Sequence, residues 1–438
     1  MQKYIWIGVV KPHQSIDIVK LQEYKGTKEM KTLYLSIVIC LSMTILAACS
    51  NMETIKSDQS NAKFAATQTT TTYSKWPPDL VEVGKWNISS FPGMENVAWF
   101  DEKEFAPWIS TIDTSNINGR DYLVLSFRSN HGNGSSLLVI YDLADSSSPS
   151  FISSFIHPEE EYVVCAVKDI AIKDGILYAG LFGDLGLWIV DISNPAAPIE
   201  LGIAPIKINE NIVAFGNYVL GTGQLHSDLV ICDVSDPRDI VEVKRLAIGS
   251  GERCLTVDGN LLFVANKGYL STYDISSPEN ARWLSGYQPP VPEGLTTQPE
   301  WYNYAIDWSN WATARGIQAS DNYVYLTFGA GGVRVIDVSI PTTPREVASI
   351  DVDGFAISLT LNDNLLFVCK AKYEVKQKEL TMLDVSEPEK PALLSMTMTG
   401  ADFNISGIIF NDYWMPPELD RDAVFIPATG YLGIFKLE

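Results

Sequence analysis

The sequence has few of the residues on which common enzyme sites depend. It contains four histidines in 438 residues, and His131, His157 and His226 stand at no metal-ligand or catalytic-triad spacing from a suitable partner. No G-x-S-x-G, Walker or dinucleotide-binding fingerprint occurs between a predicted strand and a predicted helix. The sequence therefore gives no direct support to nucleophilic, zinc or nucleotide chemistry.

Basic residues are also scarce. The chain has 32 Lys and Arg against 53 Asp and Glu, a formal net charge of −21. Six lysines and three acidic residues fall within the first 48 positions, so the rest of the chain is more acidic still. This charge argues against DNA, RNA or anionic lipid headgroups as partners, and it suits cationic ligands or divalent ions.

Cysteine is limited to six residues. Cys40 and Cys49 belong to an apolar N-terminal segment, and the others fall in predicted strands: Cys165, Cys232, Cys254 and Cys369. In other repeats Val, Ile, Leu or Ala takes these positions, so buried free thiols are expected. A disulfide between neighbouring blades is the alternative, and the sequence leaves it open.

The chain is instead rich in one repeated motif, an apolar strand that ends in Asp and is followed by a Ser- and Pro-containing turn. The intact copies are LLVIYDL (137–143), LWIVDIS (187–193), LVICDVS (229–235), LSTYDIS (270–276), VRVIDVS (333–339) and LTMLDVS (380–386). Their aspartates are Asp142, Asp191, Asp233, Asp274, Asp337 and Asp384. Successive spacings of 49, 42, 41, 63 and 47 residues match the length of a four-stranded propeller blade.

The repeat predicts an all-β fold, a seven-bladed β-propeller. Apolar residues on both sides of the Asp-ending strand indicate a strand covered on both faces. A degenerate last copy, LGIFKLE (432–438), ends at the C-terminus, while Pro78 to Val83 repeats the pattern of residues 237–243. We therefore expect the N-terminal strand to pair with the C-terminal blade and to close the ring.

These features make the chain similar to the LVIVD-repeat family, whose name LWIVD (187–191) nearly spells. The resemblance covers about residues 77–438. It implies a β-propeller of an exported or surface-exposed bacterial or archaeal protein, and it implies no general activity. The chain departs from the pattern at Lys436, in the last Asp position, and at Ser146, in the first inner Pro position.

The recurring Asp has two interpretations. Its carboxylate can accept hydrogen bonds from backbone N–H groups two or three residues on, which closes an Asx-type turn. The alternative is a ring of carboxylates that binds cations. A turn-former is what every repeat needs, so the structural interpretation is favoured.

The N-terminal region resembles a lipoprotein signal peptide. Met30 and Lys31 precede an apolar run from Thr32 to Ala48, and Leu-Ala-Ala-Cys ends at Cys49, which would carry the lipid. An uncleaved anchor is the alternative. We expect residues 1–29 to be a mis-assigned upstream extension, 30–48 the signal and 49–76 a lipidated, disordered tether. Ser50 points to an outer membrane or cell-surface location.

The longest insertion, Gln288 to Ala314, is rich in aromatic residues. Its candidate ligand-binding residues are Trp301, Tyr302, Tyr304, Asp307, Trp308 and Trp311, with Asn310 as a further hydrogen-bonding group. Such a loop can stack on sugar rings or grip a peptide, or it can be a lid that packs on neighbouring blades. Loops that carry Glu159 to Glu161, His131, His226 and Tyr373 are expected on the same face.

Two further insertions, Asp101 to Asp121 and Asp412 to Asp422, are expected between the first and second strands of their blades, on the opposite face. The second gathers Asp412, Glu418, Asp420 and Asp422. It could bind calcium, but it lacks the EF-hand loop spacing, so a solvated acidic turn is favoured.

Two functional hypotheses of different classes remain. The first is a lipid-anchored cell-envelope propeller that acts as a binding or scaffold module for a polysaccharide, a peptide or an envelope protein. The second is a hydrolase or lyase that uses loop carboxylates near the central channel. A purely structural adhesin contact comes behind both. No catalytic residue, metal ligand or cofactor is assigned.

Overall fold

The computed structural model describes residues 5–11, 14–21, 80–87, 108–128, 137–146, 148–157, 167–181, 185–223, 228–248, 253–266, 269–290, 316–372, 377–402, 418–420, 423–428 and 431–437. In this part of the chain, no helix is long and apolar enough to cross a membrane. The molecule divides into two units, Met1–Ala65 and Ala66–Glu438. In the first, strands β1 (Ile5–Lys11) and β2 (Gln14–Leu21) form an antiparallel hairpin.

In the described residues, the second unit consists mainly of β-strands. The first half contains β3 (Leu80–Asn87), β4 (Trp108–Ile117), β5 (Arg120–Arg128), β6 (Leu137–Asp142), β7 (Ser150–Ile156), β8 (Val167–Lys173), β9 (Ile176–Leu181), β10 (Gly186–Asp191), β11 (Ile199–Ala204), β12 (Glu210–Phe215), β13 (Tyr218–Thr222), β14 (Asp228–Asp233) and β15 (Val241–Ala247). The second half contains β16 (Arg253–Asp258), β17 (Leu261–Asn266), β18 (Tyr269–Asp274), a short 3-10 turn (Pro278–Asn280), β19 (Arg282–Tyr287), β20 (Ile317–Ser320), β21 (Tyr323–Thr327), β22 (Val333–Asp337), β23 (Arg345–Ile350), β24 (Phe355–Asn362), β25 (Leu365–Lys372), β26 (Gln377–Asp384), β27 (Ala392–Asp402), β28 (Glu418–Asp420), β29 (Ala423–Ala428) and β30 (Tyr431–Leu437).

The strands form antiparallel four-stranded sheets in the arrangement of a β-propeller. Six sheets each take four consecutive strands: β4–β7, β8–β11, β12–β15, β16–β19, β20–β23 and β24–β27. A further sheet has the order β28-β29-β30-β3, so the strand Leu80–Asn87 pairs with the last strand of the chain. In the six consecutive sheets the strands are called first to fourth in chain order. In the further sheet the first to fourth strands are β28, β29, β30 and β3.

The Asp-ending motif forms the third strand of each consecutive sheet, and in most of these sheets it is deeply buried. Every residue of β6 is buried, as are the central residues of β10, β14 and β22. The fourth strands β7 and β15 are mostly half-buried or exposed. A strand with neighbours on both faces needs apolar side chains at every position, which is what the motif supplies.

The hairpin turns between first and second strands follow from residues that tolerate positive φ. Asn118 and Gly119 have φ values of 54° and 82°, and Asp321 and Asn322 have 51° and 69°. Two consecutive left-handed residues fit the twist of a tight hairpin, which favours Asn, Asp and Gly.

A β-bulge interrupts the pairing of the third and fourth strands in every four-stranded sheet. The register shifts just before the motif Asp, for example between Ile189 and Val190 or between Val335 and Ile336. In the sheet that contains β3 the shift lies between Glu82 and Gly84. A bulge twists the outer strand and makes its free edge a poor template for pairing with another chain.

Neighbouring sheets are held together by hydrophobic clusters and by close backbone contact. One such cluster joins Val124 and Ile140 to Ile170 and Trp188 across two sheets. At Gly180 an added Cβ would lie 2.6 Å from the Cα atom of Asn209 in the next sheet, so this position has no room for a side chain. Small residues on second strands let the first strand of the next sheet approach.

Both predicted insertions between first and second strands are corrected in the described residues. Trp108–Ile117 is itself the first strand β4, which pairs with β5 through the short turn at Asn118-Gly119. Glu418–Asp420 is likewise the first strand β28, paired with β29. These segments contain several polar residues, and a first strand can carry them because it lies at the inner edge of its sheet.

Candidate functional site

The predicted aromatic site lies outside the described residues, but residues on both sides of it, up to Pro290 and from Gly316, lie inside them. Trp301 to Trp311 fall in the undescribed range 291–315. Other residues named from the sequence also lie outside the described residues: Cys49, Cys165, His131, His226, Glu159 to Glu161, Tyr373, Asp412 and Asp422. What the structure describes is the base of the insertion, where β19 ends at Tyr287 and the chain resumes at Gly316.

A buried arginine holds the first end of the insertion. The guanidinium of Arg334, on β22, forms an ion pair with Glu346 of β23 at 3.0 Å, and its side chain is only 4% exposed. A second guanidinium nitrogen donates a hydrogen bond to the backbone oxygen of Pro290 at 3.4 Å. Pro290 is the third residue of the insertion and the last one described on this side, so the loop leaves the sheets from a fixed point.

Two aromatic residues complete this anchor. The Tyr287 hydroxyl donates to the other carboxylate oxygen of Glu346 at 3.5 Å, and the Arg334 guanidinium lies 5.2 Å from the centre of the Phe328 ring. Burial, followed by the charge of Glu346, raises the pKa of Tyr287. Cation–π contact and a carboxylate together satisfy a charge that would otherwise be costly to bury.

The second end of the insertion is fixed by a buried threonine. The backbone N–H of Gly316 donates to Thr327 Oγ1 at 2.6 Å, and the Thr327 hydroxyl lies 3.1 Å from the backbone oxygen of Ile357 in the next sheet. An added Cβ at Gly316 would meet Ser358 Cα at 2.9 Å. The chain therefore re-enters the fold at a position packed against backbone.

The six motif aspartates form separate turns rather than one site. Each accepts a hydrogen bond from the backbone N–H two residues later, with distances between 2.7 and 3.0 Å; the donors are Ala144, Ser193, Ser235, Ser276, Ser339 and Ser386. The hydroxyl and N–H of Ser276, with Arg282, lower the pKa of Asp274 to about 2. In the described part of the chain, no three His, Cys, Asp or Glu side chains are grouped to hold a metal ion.

A pair of carboxyl groups on the first strands was missed by the sequence reasoning. Asp169 of β8 accepts a hydrogen bond from Thr111 Oγ1 of β4 at 3.1 Å and another from the backbone N–H of Ile212 of β12 at 2.7 Å. It therefore links three consecutive sheets. Asp113 of β4 is its neighbour and accepts a backbone hydrogen bond from Ile172 of β8.

Burial and mutual repulsion shift this pair toward the protonated form. Desolvation, and then the charge of Asp169, raises the pKa of Asp113 far above its ordinary value, and desolvation also raises the pKa of Asp169. Burial and repulsion between the two charges favour the protonated form of Asp113. The available sequence signal was a charged residue inside an apolar strand, as in VKDIAIK (167–173).

The described cysteines and histidine are packing residues. Cys232, Cys254 and Cys369 are buried thiols, and burial raises the pKa of Cys232 to about 12, so its thiolate is disfavoured. His157 is buried edge-on against the fully buried Trp188, with ring centres 4.8 Å apart. None of these side chains joins the carboxyl pair in a hydrogen bond that the structure describes.

Comparison with known proteins agrees with the repeated strand and turn. A family model described as the LVIVD repeat matches residues 166–204, 209–247, 253–281, 312–352 and 371–399. The chain carries LVIVD repeats. Four of the five matched segments begin near a first strand, and the fifth begins at the end of the second strand β25; three of the five end with a fourth strand, so a repeat corresponds to about one sheet. No curated protein matches the chain.

Solved structures resemble the fold at low sequence identity. A chain of the Mitotic Checkpoint Complex is 11% identical with a TM-score of 0.50, and the match covers 86% of this chain and 99% of that one. The computationally designed Ika8 protein is also 11% identical, with a TM-score of 0.45 and coverage of 76% and 96%. At this identity a likeness concerns the fold alone.

Proposed function

We propose that this LVIVD-repeat protein is a binding or scaffold module of the cell envelope, with the aromatic insertion as its recognition element. The observation that carries the proposal is the anchor at the base of the insertion. Arg334, Glu346 and Thr327 fix both ends of the loop with buried hydrogen bonds and an ion pair. Loops held on a rigid scaffold are the usual place for recognition on repeat folds.

The ligand class follows from the composition of the loop. Trp301, Trp308 and Trp311 offer flat apolar faces, and Asp307 offers a hydrogen-bond acceptor. This combination suits a polysaccharide, a peptide or a segment of another envelope protein. Nucleic acid is disfavoured by the net charge of −21.

We also propose that the protein is exported and anchored by a lipid on Cys49, with residues 30–48 as its signal peptide and residues 49–76 as a tether. The support is the Leu-Ala-Ala-Cys sequence after an apolar run. Metabolic labelling with a fatty acid tests this, because label should enter the protein and should be absent from a Cys49→Ser variant. Unlabelled wild-type protein would contradict the anchor.

The propeller is proposed to be a ring of seven blades that the composite sheet closes. First strands contact one another in the order β4, β8, β12, β16, β20, β24, β28 and β4 again. Hydrophobic clusters join Phe425 and Ile434 to the β4–β7 sheet, and Phe435 to the β24–β27 sheet. The pairing of β3 with β30 supplies the fourth strand of that last blade.

The carboxyl pair favours a second candidate, a hydrolase or lyase. Asp113 and Asp169 have raised pKa values, as a general acid requires, and they lie on first strands near the inner edge of the sheets. Their hydrogen bonds to Thr111, Ile172 and Ile212 give them a structural role as well. Turnover of an envelope glycan that is lost in Asp169→Asn would favour this candidate.

Binding to envelope glycans and secreted proteins tests the first candidate. We expect binding by the purified protein and its loss in the variant with Trp301, Trp308 and Trp311 all changed to Ala, at an unchanged melting temperature. The control is Phe151→Ala, an exposed aromatic residue of another sheet. Retained binding in the triple variant, or a variant that melts earlier, would make the loop a lid rather than a recognition site.

A further inference from the structure

Exposed apolar side chains are not scattered evenly over the sheets. Eight large hydrophobic residues are exposed in the described part of the chain, and six of them lie at the start of a fourth strand or in the turn before it. These six come one from each of six consecutive sheets; we call them the apolar rim: Phe151, Ile199, Val241, Trp283, Ile340 and Leu393. Single exposed apolar residues are ordinary, but one at the same end of each of six consecutive sheets is a pattern.

The apolar rim and the aromatic insertion lie at opposite ends of the sheets. In an antiparallel sheet the fourth strand begins beside the motif turn and ends at the other edge. Trp283 is the second residue of β19, whereas the insertion follows the last residue of that strand, Tyr287. The other two exposed apolar residues, Ile203 and Tyr269, also lie at the end opposite the rim. The rim is therefore a separate surface.

Two rim residues converge at one boundary between sheets. Val241 pairs with Asp233, which lies on the same face of β14 as Ile231 two residues before it. Trp283 pairs with Tyr273. Ile231 and Tyr273 belong to one hydrophobic cluster between the sheets β12–β15 and β16–β19. Val241 and Trp283 thus both face this boundary, and they are 50% and 56% exposed.

Carboxylates surround this apolar pair. The Tyr218 hydroxyl donates across the same boundary to Glu279, and that hydrogen bond lowers the pKa of Glu279, which keeps it charged. Asp236 and Asp239 lie exposed in the turn that leads to Val241. Basic residues are present too: Arg238 lies exposed in the turn between Asp236 and Asp239, and Arg282 is paired with Asp274 of its own sheet. The surroundings of the pair remain predominantly acidic.

We propose that the boundary at Val241 and Trp283 is a docking surface for a basic, amphipathic protein segment. The apolar pair would receive aliphatic side chains of the partner, and Glu279, Asp236 and Asp239 would receive its Lys or Arg residues. An acidic surface repels nucleic acid, an anionic membrane and a second copy of this acidic chain, so charge complementarity selects a cationic protein. The proposal is independent of the aromatic insertion.

Synthetic peptides serve as the probe. A helical Leu/Lys peptide should bind the full-length protein, a Leu/Glu peptide of the same pattern should not, and a Gly/Lys peptide of equal charge should bind at least tenfold more weakly. Trp283→Ser should raise the Kd of the Leu/Lys peptide at least tenfold. Ile203→Ser, an exposed apolar residue at the other end, should leave it unchanged. Added salt should weaken binding.

Charge variants provide the second arm. The double variant Asp236→Asn, Asp239→Asn should raise the Kd of the Leu/Lys peptide several-fold. The double variant Asp321→Asn, Asp363→Asn, in turns of other sheets, should change that Kd little. Trp283→Phe should retain most of the affinity at an unchanged melting temperature. Equal Kd values in Trp283→Ser and Ile203→Ser, or Gly/Lys binding as tight as Leu/Lys, would overturn the proposal. So would vesicle binding that Trp283→Ser abolishes.

Discussion

Environment, rather than residue type, decides what an aspartate does in this protein. In the motif turns, Asp274 lies next to donors, and its pKa is lowered to about 2 by Ser276 and Arg282. Between the first strands, burial raises the pKa of Asp169 instead. The motif aspartates could be assigned to turns from their spacing, because a turn is a local structure. Asp113 and Asp169 are 56 positions apart in the sequence, so no local pattern predicts that they form a pair.

A motif turn should be measurably weakened by loss of its carboxylate. Asp337 accepts the backbone N–H of Ser339 at 2.9 Å and pairs with Arg345 at 3.2 Å. We expect Asp337→Ala to lower the free energy of unfolding by about 1 kcal/mol, since one hydrogen bond contributes roughly that much. Asp337→Asn keeps the acceptor oxygen and should cost less. Equal losses for Ala and Asn in urea unfolding would contradict the turn role.

The carboxyl pair should make stability fall as pH rises. Asp113 and Asp169 have folded-state pKa values above the ordinary value of 3.8. Above pH 4 the unfolded state has lost these protons while the folded state retains them, so the free energy of unfolding declines as pH rises through the raised values. Asp113→Asn should flatten this slope in urea titrations between pH 4 and pH 9.

The control for that slope is Asp321→Asn, in an exposed hairpin turn. It should leave the pH dependence of the free energy of unfolding as it is in the wild type. An unchanged slope in Asp113→Asn would show that the pair does not titrate in this interval.

At the scale of elements, strands with strong patterns were predicted well, but two of the first strands were not. The third strands, such as Leu137–Asp142, are apolar throughout because sheets cover both their faces, and the sequence shows this directly. Trp108–Ile117 and Glu418–Asp420 were instead taken for loops. A first strand has only one hydrogen-bonded neighbour within its sheet, so it tolerates Ser, Thr, Asp and Glu and gives a weak signal.

The anchor below the aromatic insertion should be costly to break from one side. Arg334→Leu leaves Glu346 without its cation in a buried position, and we expect a loss of about 3 kcal/mol in the free energy of unfolding. Adding Glu346→Leu should recover most of that loss. Arg245→Leu removes a surface pair with Glu242 and should cost less than about 1 kcal/mol. A cost for Arg334→Leu no larger than for Arg245→Leu would contradict a buried anchor.

At the scale of the molecule, the proposed closure concerns the two ends of the propeller unit. Leu80–Asn87 pairs with Tyr431–Leu437 although some 350 residues separate them. Among the described residues, this pairing joins the first part of the unit to the last by backbone hydrogen bonds, and Phe425 and Ile434 also pack against the β4–β7 sheet. Ring closure removes the exposed faces that an open row of sheets would leave at each end.

Deletion of the strand that closes the last sheet should therefore unfold or aggregate the protein. Without residues 77–87, β30 presents an unpaired edge and the sheet packs incompletely on its neighbour. We expect a melting temperature lower by at least 10 °C, or loss of the monomer in size-exclusion chromatography. Deletion of residues 2–29, in the separate first unit, is the matched control and should change neither. A cooperative melt at the wild-type temperature without residues 77–87 would contradict closure.

The sequence by itself determined the repeat, the all-β class, and the third strand and its turn in the six sheets that carry an intact motif. All of these depend on local propensity or on copies of one pattern. In a repeat, several copies of a segment give independent evidence for the same local structure. Tertiary structure decided the first-strand carboxyl pair, the arginine anchor and the convergence of Val241 with Trp283. These depend on which residues of different sheets face each other, and that is set by the register of the strands and the stacking of the sheets.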